Sequence, residues 1–129
     1  MADFISTFSS LPDFYSLTGA SGEQIAQAER ALSLRFADDY RQYVRAFGAV
    51  SAAGHELTGI CASKRLNVVD VTLSARGLQP AVPQDWYVLE EANIDGIVIW
   101  QSGAGEVFQT QPGAEPIKLA GGIREYLNL

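Results

Sequence analysis

Glu29, His55, Cys61, Ser102 and the run from Glu91 to Gly96 are the positions whose residue types could act on a substrate or hold an ion. A carboxylate on an apolar helix face serves as general acid or base only where burial and a convergent partner tune it. Glu29 lies on such a face, between Ile25 and Leu32 in helical projection. Unpaired there, it would carry a desolvation cost of several kcal/mol, so it must draw donors from the next helix, a tyrosine hydroxyl or an arginine. No second group stands at catalytic spacing, and Glu29 reads as a structural acid.

His55 is the only histidine, so His55-Glu56 fails the two-histidine helix pattern of zinc proteases and reads as a loop residue. Cys61 would need a base such as His55 to become a thiolate nucleophile. No motif joins the two, and the lone thiol reads as a small buried side chain. Ser102 lacks the glycine two positions upstream that a nucleophile elbow requires; Gly103 and Gly105 read as a hairpin turn. Glu91, Asn93, Asp95 and Gly96 match the first, third, fifth and sixth positions of a calcium loop, but the twelfth is Ser102 and strands flank it. An Asp-Gly hairpin turn is the better reading. Trp86 and Trp100 form either an aromatic platform for a ligand or part of the core of a small sheet, and the core is preferred. With no phosphate loop, dinucleotide fingerprint or basic patch, no catalytic residue, metal or cofactor is expected, nor nucleic acid as a partner.

The elements around these positions are legible by period and capping. A short helix is expected near residues 3 to 8, followed by a packed segment in which Pro12 stops any longer helix. Ser21 with Gln24 is a capping-box start, and Ile25, Ala28, Leu32 and Phe36 recur at helical spacing. A second helix begins with Asp38 and Asp39 at its positive end, buries Tyr40, Tyr43, Val44 and Phe47, and stops at a left-handed Gly48. Arg41 and Arg45 fall on its solvated side, with Arg41 in reach of Asp38. Ala49 to Cys61 reads as a weak strand pair around Gly54. Leu66 to Gly77 is rich in β-branched residues, yet Asn67 as cap, Asp70 three later and Gly77 as terminator favour a helix. From Trp86 onward four short strands, 86–91, 97–101, 106–109 and 116–119, alternate with turn chemistry and must pair antiparallel, Ile97 to Trp100 as the buried centre. Ile123, Tyr126 and Leu127 suit a short closing helix. The fold class is α+β, one domain over residues 1–129.

With one cysteine there is no disulfide framework, and a reducing cytoplasmic setting is expected. No Lys or Arg precedes Arg30, Met1 to Phe8 lacks a signal-peptide pattern, and no apolar run approaches the ~20 residues that span a bilayer, so no membrane partner is expected. The net charge is −6, and the stretch between Arg76 and Lys118 carries all of it: six acids and no base. Such a stretch either solubilises the surface or attracts basic partners.

The chain resembles the SUKH superfamily, the Smi/Knr-like domains of bacterial toxin-immunity proteins and of a fungal cell-wall assembly regulator. The likeness runs from about Gly19 to Leu127. It rests on Ile25-x3-Glu29-x2-Leu32, Phe36-Ala-Asp-Asp-Tyr-Arg and Phe47-Gly48; on Asn67-Val-Val with Thr72 and Arg76; on Trp86-Tyr-Val-Leu-Glu-Glu; and on Ile123-Arg-Glu-Tyr-Leu. Ala37 stands where relatives commonly have proline, and the Gly pair or Asn-Gly that they often carry near Gly48 is absent. The resemblance implies a non-enzymatic binding domain, often an immunity protein that holds a toxin, frequently a nuclease, inactive. Its partner would be a cognate toxin or another basic protein, met through Asp85, Glu90, Glu91, Asp95 and Glu106. In a regular strand at most one of Glu90 and Glu91 faces that partner. Glu29, Tyr40 and Gly48 would be structural. Two other readings stand beside it: an adaptor for an endogenous protein, and a small-molecule enzyme or ligand binder using Glu29, His55 or the tryptophans.

Overall fold

Ser21 accepts the Gln24 amide at 3.1 Å while the Gln24 side chain accepts the Ser21 amide at 2.8 Å, the reciprocal cap that starts α2, Gly22–Leu32. The computed structural model describes residues 3–129; Met1 and Ala2, part of the stretch read for a signal peptide, lie outside the described residues. The first helix, α1 (Phe4–Ser9), is capped by Asp3. It sends Phe8 onto Tyr43 of α3 (Asp38–Phe47), rings stacked with centroids 5.3 Å apart. After Pro12 the packed segment forms a strand that local pattern does not announce. This strand, β1 (Tyr15–Ser16), pairs antiparallel with β2 (Val50–Ala52), which pairs with β3 (His55–Glu56).

Gly48 ends α3 differently from the expected left-handed cap. Its φ of 72° and ψ of −63°, with the Ala49 amide donating to the Phe47 carbonyl at 2.7 Å, make a tight three-residue γ-turn. A Cβ there would overlap the Thr18 carbonyl oxygen, so only glycine fits. Ala37 precedes α3 without a side-chain cap. Its amide donates to the Tyr87 hydroxyl at 3.1 Å instead.

The middle helix, α4 (Val68–Leu78), is a helix despite its β-branched residues, and the Asn67 side chain accepts the Val69 amide at 2.9 Å. Gly77 does not terminate it: the helix continues to Leu78 and is capped at Gln79. The meander follows as β4 (Tyr87–Glu91), β5 (Val98–Gln101), β6 (Val107–Thr110) and β7 (Ile117–Ala120), paired in that order, and α5 (Ile123–Tyr126) closes the chain. All four residues of β5 are buried, as expected of its centre.

The four-stranded sheet has two buried faces. Tyr87, Leu89, Ile99 and Val107 face α2, α3 and α5 in the main core. Val88, Val98 and Trp100 face α4 with Val71 and Ala75, and Trp86 stacks on Phe108 at 4.3 Å. Both tryptophans are therefore core. α4 also satisfies the edge of β4: the Val88 amide donates to the Thr72 hydroxyl at 3.0 Å, and Arg76 donates to the carbonyls of Gln84 at 2.8 Å and Trp86 at 3.4 Å. Those contacts give the Asn67, Thr72, Arg76 block its physical meaning.

Candidate functional site

Glu29 accepts the Phe36 amide at 2.9 Å and lies 3.6 Å from Arg41 Nε. It is a half-buried structural acid that locks the α2–α3 turn. Arg41 therefore turns toward Glu29 rather than pairing with Asp38. Tyr40 is fully buried. The Thr58 hydroxyl donates its only proton to the Val88 carbonyl at 2.8 Å, so Tyr40 is the donor in its 2.9 Å bond to Thr58 Oγ1. Burial pushes the Tyr40, Tyr43 and Tyr87 hydroxyls well above the usual tyrosine range.

A bulge decides the positions of Glu90 and Glu91. Val88 opposes Trp100, but Glu90 opposes Ile99 and Glu91 opposes Val98, so one residue of β4 is skipped. Opposed residues share a face. The bulge therefore turns Glu90 into the main core and Glu91 to the α4 side. Glu90 accepts from His55 Nδ1 at 2.9 Å, the Glu56 amide at 2.8 Å and the Tyr126 hydroxyl at 2.6 Å. As a partner-facing acid it is thus corrected: it is buried and joins β3, β4 and α5. His55 is correspondingly a half-buried strand residue with its ring 5.3 Å from that of Tyr126, not a loop residue.

The other four expected acids divide between the two ends of the sheet. Glu91 and Asp95 are exposed beside the β4–β5 turn, and among the described residues neither forms a salt bridge. At the opposite end Asp85, also exposed, accepts the Gly103 amide at 3.3 Å, and Glu106 pairs with Lys118 at 2.8 Å. Four residues of strand separate the two groups, ~13 Å at 3.3 Å per residue. One continuous acidic face of all five is therefore not what the register builds. Around Glu91 and Asp95 lies a cleft of about 540 Å³ between the end of α4, the β4–β5 turn and Pro112.

Among the described residues Glu29, His55 and the two tryptophans lie in separate surroundings. Glu29 serves the α2–α3 turn, His55 faces Glu90, and the tryptophans pack beneath α4. The Cys61 thiol is half-exposed rather than buried and reaches the Ser63 carbonyl at 3.8 Å. The segment with calcium-loop spacing is a turn in which Asn93, Asp95 and Gly96 take positive φ of 58°, 53° and 70°. One polar chain escapes sequence reasoning altogether. Tyr87 donates to Gln101 at 2.7 Å, Gln101 to Asp39 at 2.9 Å, and the Ile123 amide to the other Asp39 oxygen at 2.9 Å, so Asp39 caps α5.

A family model described as SMI1-KNR4 cell-wall, SUKH_5, matches residues 1–110. The chain belongs to the SUKH family. The match takes in α1 and β1, ahead of the Gly19 start of the resemblance, and ends with β6. No curated protein matches this SUKH domain. No helix of its described residues is long and apolar enough to cross a membrane.

Proposed function

We propose that this SUKH domain is a non-enzymatic binding protein of the immunity type, holding a basic polypeptide toxin inactive through exposed acids. The observation that carries the reading is the placement of Glu91 and Asp95: exposed, without an ion-pair partner among the described residues, in a stretch with no Lys or Arg between Arg76 and Lys118. Charges so placed raise encounter rates with a basic surface and, against a nuclease, occupy the phosphate-binding groups of the toxin. Asp85 adds charge at the other end of the sheet, while Lys118 offsets Glu106. The half-exposed, unpaired Cys61 suits a reducing cytoplasm.

Co-expression with the polypeptide encoded by the adjacent reading frame tests this reading. Growth inhibited by that polypeptide and restored by the wild-type chain is the expected result. Unrelieved inhibition, with no complex at low salt, overturns it. The matched family's description names the cell wall rather than a toxin, which favours an adaptor of an endogenous protein as the second reading. A harmless neighbouring product together with capture of an endogenous partner would select it.

A further inference from the structure

We infer that the cleft at the end of α4 seats an aliphatic side chain of the partner polypeptide, flanked in its sequence by Lys or Arg. The inference deepens the toxin-binding reading and rests on it. Leu78 is 83% exposed and Ile94 60% exposed, and both line this one cleft of about 540 Å³. Val98 and Pro112 line it too. Two large aliphatic side chains left this open on one concavity are what a partner buries, whereas singly scattered ones need no explanation.

The electrostatics select the occupant. Glu91 and Asp95 line the same cleft, and no Lys or Arg does. The C-terminal, negative end of α4 falls there too, at Leu78. The nearest cations are engaged elsewhere. Arg76 donates to the Leu32, Gln84 and Trp86 carbonyls, and Arg65, which lies close enough to Glu91 to feel its charge, donates to Glu56. An apolar pocket whose rim carries two acids and no base fits an aliphatic residue between basic ones and disfavours an acidic segment. The turn is built to present Ile94: Asn93 and Asp95 on either side take left-handed φ, which Asn and Asp tolerate better than most residues.

Titration of the isotope-labelled chain with the capped pentapeptide Lys-Leu-Lys-Ile-Lys, followed by NMR, reads the cleft without any toxin. Shifts confined to the Leu78, Ile94 and Val98 methyls and the Gly96 amide are expected. The capped controls Glu-Leu-Glu-Ile-Glu and Lys-Ser-Lys-Ser-Lys should produce none. Leu78→Ser with Ile94→Ser should weaken binding about tenfold or more, and Glu91→Gln with Asp95→Asn should remove its salt dependence. Shifts elsewhere, equal binding of the acidic control, or cleft shifts driven by chain concentration alone, which mark a second copy as occupant, overturn the inference. Growth rescue separates the two ideas. Full rescue by Leu78→Ser with Ile94→Ser sinks the cleft alone; failed rescue by the wild type with peptide binding intact sinks the toxin reading alone.

Discussion

The Tyr126 hydroxyl donates to Glu90 Oε1 at 2.6 Å, tying the last helix to a bulged strand through a carboxylate that also holds His55 and the Glu56 amide. Glu90→Ala leaves three donors unanswered and should cost about 2–4 kcal/mol in urea denaturation. Glu91→Lys, one residue on and exposed, should stay within about 0.5 kcal/mol of wild type. Equal losses at the two positions would contradict the bulged register.

Gly48→Ala and Gly54→Ala separate backbone conformation from close approach. Both glycines have positive φ, 72° and 82°, but a Cβ meets the Thr18 carbonyl at Gly48 and nothing at Gly54. Gly54→Ala should cost about 1 kcal/mol and Gly48→Ala at least twice that, about 2 kcal/mol or more, by thermal or urea unfolding. Similar values would remove the argument for the γ-turn contact.

Glu29→Gln keeps an oxygen for the Phe36 amide and loses only the Arg41 pair, so a loss below about 1 kcal/mol is expected. Glu29→Ala orphans that amide and should cost about 1–3 kcal/mol. Neither should change partner affinity. A binding defect in a fully folded Glu29→Gln chain would return this acid to the functional candidates.

Alkaline stability follows from the buried hydroxyls. Tyr40, Tyr43 and Tyr87 are raised by burial above the ordinary value of 10.0, and Tyr126 by burial and the adjacent Glu90 carboxylate. A raised native pKa means that their contribution is complete below pH ~10 and is lost as pH rises toward the native values. The unfolding free energy should fall above pH ~10 by up to about 1.4 kcal/mol per pH unit per tyrosine. Tyr40→Phe, though less stable at neutral pH, should show a shallower fall. A slope unchanged by that substitution would contradict the burial argument.

The helices were readable because their signals are local. The Ser21–Gln24 cap, the Ile25 to Phe36 stripe and the Asn67 cap each lie within a turn or two of what they specify. Turn chemistry between short strands likewise placed all four members of the meander. Features set by distant backbone were not readable. The strand at Tyr15 exists only because Val50–Ala52 lies beside it, and the γ-turn at Gly48 answers to Thr18. The bulge mattered most for the candidate site. Alternation alone put Glu90 and Glu91 on opposite faces, but the shift after Val88 decided which carboxylate met His55 and which met solvent. Leu78 and Ile94 carry no motif at all; only the packing of α4 against the β4–β5 turn brings them to one cleft.

On the proposed function Glu91 and Asp95 steer a basic partner onto this domain, and stopped-flow association with the adjacent-frame polypeptide measures that steering. The wild-type association rate should fall about tenfold or more between low and high salt, and Glu91→Lys with Asp95→Lys should slow it at low salt and flatten that dependence. No association, or a rate indifferent both to salt and to those two charges, would contradict it.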